Sequence, residues 1–177
     1  MPGKVRRIVT GHNQAGRSII VSDTQLPPGE LQPGQPLRVG LWVTDRAPAS
    51  NAGNADTVPD GVINMIPPQH RGGTVIRITE IAPDAGRAAV SPQELAARGA
   101  IVTPDRSARH PGFHQTHTVD YAVCLEGEVW AVLDEGETLM RPGDVLIQRG
   151  TYHAWSNRTN EPCRMLFVLI DAEPVST

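Results

Sequence analysis

Six histidines carry most of the chemistry this 177-residue chain could do, and His114, His117 and His153 fall where the sequence is patterned for β-strands. In an extended segment side chains alternate, so His114, Thr116 and Asp120 share one face over 113–120 while His117 takes the other. His153 opens a second row, with Trp155 and Asn157 on its side. Imidazoles and a carboxylate converging in one interior suit a divalent ion, since histidine nitrogen and carboxylate oxygen together bind zinc, iron, nickel or manganese. The competing reading is a pair of hydrogen-bonded core histidines with no ion. His12, His70 and His110 sit in turns and Pro/Gly-flanked loops, where solvated imidazoles are expected. Arg77 and Arg149 are placed to meet an anionic substrate, although a strand arginine more often lies on a solvated or salt-bridged face. There is no Gly-rich phosphate loop, no GxSxG and no paired Cys/His nucleophile signature.

The elements that must position these residues are short. Val5 to Thr10 and Ser18 to Ser22 read as a hairpin around His12-Asn13-Gln14-Ala15-Gly16, expected to extend one sheet. A Pro/Gly-rich connector, Leu26 to Pro36, leads to a strand over Leu37 to Thr44 and a small-residue loop from Asp45 to Gly61. Thr74 to Ile81 alternates as a half-buried strand. One helix is expected near Ser91 to Arg98: Ser91 is an N-cap, Pro92 the first helical residue, Glu94 a capping-box partner and Gly99 a stop. From Gly112 onward, strands of five to eight residues alternate with turns at Glu126-Gly127, Asp134 to Gly136, Arg141 to Asp144, Arg149-Gly150 and Asn157 to Pro162. That spacing signals an antiparallel sandwich or barrel.

Composition narrows the function. Gly 17 and Pro 16 disfavour a helical bundle, and 39% hydrophobic residues suffice for one core. A formal net charge of -3 lacks the basic footprint of a nucleic-acid binder. No apolar run approaches the roughly 18 residues of a membrane span, and the first residues lack a secretory signal, so the expectation is a soluble, cytoplasmic protein with neither nucleic acid nor membrane as partner. Cys124 and Cys163 are too few for a disulfide framework and sit in apolar runs, where buried thiols are common.

The segment His114-x-Thr116-x3-Asp120-x6-Gly127, followed by Pro142-Gly143-Asp144-x5-Gly150-x2-His153-x3-Asn157, resembles the two motifs of the cupin family, in particular small single-domain cupins of the cupin 2 type. The second motif is nearly complete. In the first, Thr116 stands for the second histidine of the usual His-x-His and Asp120 for the usual glutamate. The resemblance implies an all-β fold, an antiparallel double-stranded β-helix or jelly-roll barrel over residues 70–177, with residues 1–69 contributing the hairpin and connector to the same fold. It also implies one divalent metal ion held by His114, Asp120 and His153, with His117 as the alternate donor. Around it, Thr116, Ala122, Cys124, Trp155 and Asn157 would line a substrate pocket. The function expected is metal-dependent dioxygenase, decarboxylase or isomerase chemistry on a small organic acid or carbonyl compound; a non-catalytic barrel binding a small molecule is the alternative. The open edges of the hairpin make a homodimer the expected assembly.

Overall fold

Period-two alternation and closely spaced Gly and Pro turns favour strands over helices throughout, and the computed structural model is built accordingly. It describes residues 5–26, 38–58, 66–86, 91–103 and 109–175. The strands are β1 (Val5–His12), β2 (Ser18–Leu26), β3 (Arg38–Thr44), β4 (Thr74–Ile81), β5 (Thr118–Glu126), β6 (Val129–Leu133), β7 (Glu137–Met140), β8 (Val145–Arg149), β9 (His153–Ser156) and β10 (Cys163–Asp171), with one helix, α1 (Pro92–Ala97), between β4 and β5. Most of the connector after Leu26 and the end of the loop before Ile66 fall outside the described residues.

Two sheets face each other. The larger has the order β3-β4-β10-β5-β8 and the smaller β7-β6-β9. Every pairing within them is antiparallel. Their inner faces meet in one apolar cluster, in which Ala122, Cys124, Cys163, Met165, Phe167 and Leu169 of the larger sheet pack against Val129, Ala131 and Met140 of the smaller. Burial at every second residue of β10, from Cys163 to Leu169, is the sequence alternation made visible. Gly127 shows what one turn requires: its φ is +75°, and a Cβ there would lie 2.9 Å from the Pro162 carbonyl oxygen and 3.0 Å from the Cys163 Cα. Only glycine meets both demands.

The helix forms as its capping sequence dictates. Ser91 accepts from the Glu94 amide, the Glu94 side chain accepts from the Ser91 amide, and Gly99 follows at φ +86°. Leu95 is its one buried side chain. One expectation is corrected: the amino-terminal hairpin forms, but among the described residues β1 and β2 pair with each other alone, in a separate two-stranded sheet instead of extending either large one. Its contacts to the rest run through side chains, with Arg7 donating to the Leu41 carbonyl and pairing with Asp56, and Asn54 bonded to His12.

The segment before β5 decides where the candidate site lies. His114 and His153 exchange both backbone hydrogen bonds, 2.9 and 2.8 Å, so this stretch pairs with β9 of the smaller sheet. Four residues later the same chain enters β5, inside the larger sheet. A strand that switches sheets forms a corner of the sandwich, and the histidine pair is at that corner.

Candidate active site at the sheet corner

The imidazoles of His114 and His153 are brought together by the backbone. Directly opposed residues of a hydrogen-bonded antiparallel pair send their side chains to the same face, and here the ring centroids are 4.5 Å apart with planes tilted by 47°. Each ring is fixed by a backbone carbonyl: His114 Nδ1 donates to Gly112 O at 2.8 Å and His153 Nδ1 to Thr151 O at 3.0 Å. A carbonyl can only accept, so both neutral rings carry their proton on Nδ1 and present the Nε2 lone pair. Burial is the first reason both stay neutral. It pushes His153 down to about 3, with His114 and Arg77 adding to the effect. His114 is likewise lowered by burial, partly offset by the Gly112 hydrogen bond.

Along the same inward face run Thr116, Thr118 and Asp120, each 5% exposed or less. Thr116 Oγ1 lies 2.7 Å from Thr118 Oγ1, and Thr118 bonds to the Asp120 carboxylate. Since the carboxylate accepts, Thr118 donates to it and Thr116 donates to Thr118. Burial pushes Asp120 up to about 6, against the lowering effects of Thr118 and of Arg77. Asp120 Oδ1 is buried without a hydrogen-bond partner, and so is Oε1 of Gln148, its register partner on β8. Two orphaned acceptors side by side are costly. Among the described residues, no three His, Cys, Asp or Glu side chains gather closely enough to hold a metal ion. Two of the three anticipated donors, His114 and His153, are together, and Asp120 is turned to its own threonine relay.

A run of rings leads away from the pair. His153 meets Trp155 edge-on at 5.7 Å, Trp155 meets Phe167 at 5.4 Å, and the guanidinium carbon of Arg77 lies 5.5 Å from the Phe167 centroid. Arg77 is 6% exposed, so the solvated-face reading of this arginine is corrected. It stands opposite Phe167 in the register of β4 and β10 and shares that inward row with Ala122. The sequence carried a signal for this, since Arg77 has the parity of Val75 on β4, but the isoleucines of the other parity masked it.

The remaining sequence candidates are placed as follows. His117 faces away from the pair and lines an open cleft of about 780 Å³ beside β8, together with Arg149 and Tyr152. Asn157 is fully buried and holds the last turn: its amide donates to Ile81 O and Glu161 O, both at 2.8 Å, and its carbonyl accepts from the amide and hydroxyl of Thr159. Ala122 is core packing. Cys124 reaches Cys163, 3.9 Å between sulfurs, at the far end of that core. His110, expected in solvent, is corrected: it packs against Asp84 at 3.5 Å and accepts from the Gly112 amide. That bond supports the loop whose carbonyl orients His114.

Comparison with known proteins agrees with this architecture. The Cupin domain family called cupin 2 matches residues 100–169. The chain is 33% identical to the cupin-domain-containing oxidoreductase fogC of Aspergillus ruber, covering 97% of this chain and 75% of that protein. It is 30% identical to phomopsin biosynthesis cluster protein C' of Diaporthe leptostromiformis, over 96% of this chain and 79% of that one. A cupin-domain-containing oxidoreductase of Hypocrea virens, virC, is 29% identical over 98% and 80% of the two chains. Among solved structures, the Cnp3 cupin domain of Schizosaccharomyces pombe is similar with a TM-score of 0.46, 12% identity and coverage of 97% and 89%.

Proposed function

The chain belongs to the cupin family, and on that footing we propose that it is an oxidoreductase acting on a small organic molecule at the His114–His153 pair. The observation that carries this is the pair itself: two neutral imidazoles, His153 buried and His114 half-buried, with ring centroids 4.5 Å apart and both held by backbone carbonyls in the Nδ1–H form. Two rings on the same face of a strand pair, each with its proton fixed on Nδ1, leave both Nε2 lone pairs available as donors to a third body. Relatives named as oxidoreductases support the reaction class.

The donor chemistry fits a divalent ion at two positions, His114 Nε2 and His153 Nε2, and a metal-dependent mechanism is the reading we favour. Iron, nickel, manganese or zinc would suit such nitrogens, and a bound ion would supply Lewis-acid or redox chemistry. The protein's own part is clearer. Gly112 O and Thr151 O hold the rings, and the Trp155 ring packs edge-on against His153. The carboxyl of Asp120, buried with one oxygen unbonded, can hold a proton near neutral pH or release it to a bound molecule. A non-catalytic binding barrel is the second reading, and the absence of a third gathered ligand among the described residues is what favours it.

Metal analysis of the purified chain decides between them. The proposal expects stoichiometric iron, nickel, manganese or zinc, or saturable uptake after chelation, and near-complete loss in His153→Ala. Undiminished uptake in a folded His153→Ala variant, or no uptake of any of the four by the wild type, would overturn it. A homodimer with a cytoplasmic location remains our proposal for the assembly, checked by sedimentation equilibrium.

A further inference from the structure

The His110 side chain, 10% exposed, belongs to a chain of contacts that begins on the strand carrying His153 and ends on His114. Ser156, on β9, donates to Asp84 Oδ2 at 2.6 Å, and the Asp84 amide donates to Asn157 O at 2.8 Å. Asp84 Oδ1 stands 3.5 Å from His110 Nε2. On the other side of that ring the Gly112 amide donates to His110 Nδ1 at 3.0 Å, and Gly112 O accepts from His114 Nδ1 at 2.8 Å. The path closes through the backbone bonds that join His114 to His153.

Donor accounting fixes the tautomers along this path. An amide N–H can only donate, so His110 Nδ1 is an acceptor and the neutral ring carries its proton on Nε2, toward the Asp84 carboxylate. His114 is in the opposite form. The residue between them is a glycine, whose backbone is freer than any other, and its carbonyl orients a ring only if both of its torsions are held. One is held by the turn in which the Phe113 amide donates to His110 O at 3.0 Å, since that peptide also carries Gly112 O. The other is held by the His110 ring. A Cβ at 112 would lie 3.3 Å from His110 Nδ1 and 3.5 Å from its Cε1, so the missing side chain is the space over which the ring sits. His153 has a comparable support, because Gln148 Nε2 donates at 3.2 Å to the Thr151 carbonyl that accepts from its Nδ1.

We propose that His110 is a positioning residue for the histidine pair: it holds Gly112 so that His114 stays in the Nδ1–H form with its Nε2 lone pair available, and Asp84 ties it to β9. The role assigned in this way rests on the reading of His114–His153 as the reactive centre; His110 acts through Gly112 and His114 and takes no part in bond making. Against a loop contact that serves folding alone, the distinguishing property is the proton position on His114, which depends on an acceptor at the place of His110 Nδ1 and not on how well the side chain at 110 packs.

The test uses the full chain with a chelator present and reads the tautomers from long-range proton–nitrogen NMR correlations near pH 8, above the ordinary imidazole range. In the wild type His114 and His153 should be protonated on Nδ1 and His110 on Nε2. His110→Gln reaches toward Asp84 but places no acceptor at the Nδ1 position, and should turn the single His114 form into a mixture of tautomers. His110→Asn puts its Oδ1 where Nδ1 stood, the contact that Asn13 makes to the Ala15 amide at 2.9 Å, and should restore the single Nδ1–H form. A wild-type His114 protonated on Nε2, a wild-type His110 protonated on Nδ1, or a folded His110→Gln chain with the wild-type His114 spectrum would each overturn the proposal. If His110→Gln does not fold, the wild-type tautomers and His110→Asn still decide, and a mixture at His114 in folded His110→Asn overturns it. In the chelator-free protein, any ion bound at the pair should be held roughly 10- to 100-fold more weakly by His110→Gln than by His110→Asn. Because the tautomers are read without metal, a wild type that takes up no ion overturns the metal reading of the pair and leaves the role of His110 to the spectra.

Discussion

Asp120→Asn should make the protein more stable at pH 8 and leave it unchanged near pH 4. The folded chain holds the Asp120 proton more tightly than the unfolded chain, with an ionisation near 6 against an ordinary 3.8. Stability from this group is therefore fully present below about pH 4 and is lost as the pH rises through about 6. The gap corresponds to about 3 kcal/mol at roughly 1.4 kcal/mol per pH unit. Asparagine has the same shape, cannot ionise, and can turn an amide donor toward Gln148 Oε1, which now lacks a partner. For a chain of this size about 3 kcal/mol is roughly 6–12 °C in Tm. Urea denaturation of both proteins from pH 4 to 8, with chelator present, measures the effect. Parallel stability profiles, or a variant less stable than wild type at pH 8, would refute a carboxyl held near 6 by burial.

The acid limb should show the opposite sign. His153 is neutral when folded, down to about 3, so stability is complete above about 6.5 and falls by up to roughly 1.4 kcal/mol per pH unit below it; His153→Gln should flatten that limb in the same urea series. Asn157→Ala removes four hydrogen bonds at a fully buried position and should cost about 3–5 kcal/mol in urea unfolding. Thr116→His breaks the bond to Thr118 and adds an imidazole on the face of the pair; if the ion sits there, equilibrium dialysis should show affinity rising by roughly 10- to 100-fold.

From β5 onward strand boundaries were legible in the sequence where a turn residue with few conformational options stands, whereas β1 and β2 run on to His12 and Leu26, past the expected ends at Thr10 and Ser22. Gly127 must have positive φ, and the Arg141 to Asp144 turn closes with the Asp144 carboxylate accepting the Arg141 amide. Alternation placed His114, Thr116 and Asp120 on one face, and burial of Thr116 and Asp120 agrees. The hairpin's detachment was not legible, since alternation says that a strand has two faces and nothing about which edge it joins. Arg77 was misread for a related reason. On β4, both Val75 and Ile78 are buried, so hydrophobicity there does not mark one face as inward.

Why the histidines were easy to pair and the carboxylate hard to place follows from the sheet switch. His114 and His153 are spaced by two backbone hydrogen bonds within the smaller sheet, so their separation is set by strand geometry and tolerates substitution around it. Asp120 lies beyond the corner, in the larger sheet, bonded across to β10 and β8. Its distance from the pair depends on how the two sheets are spaced, and that spacing is set by the apolar cluster between them, from Ala131 and Met140 to Phe167 and Leu169. A two-residue period predicts the face on which a side chain lies, but the gap between two packed faces comes from the volumes of side chains on both. The ligand set expected from the sequence, divided two to one across such a gap, would be tuned by core packing, and repacking at Ala131 should move the carboxylate relative to the imidazoles without touching any of the three.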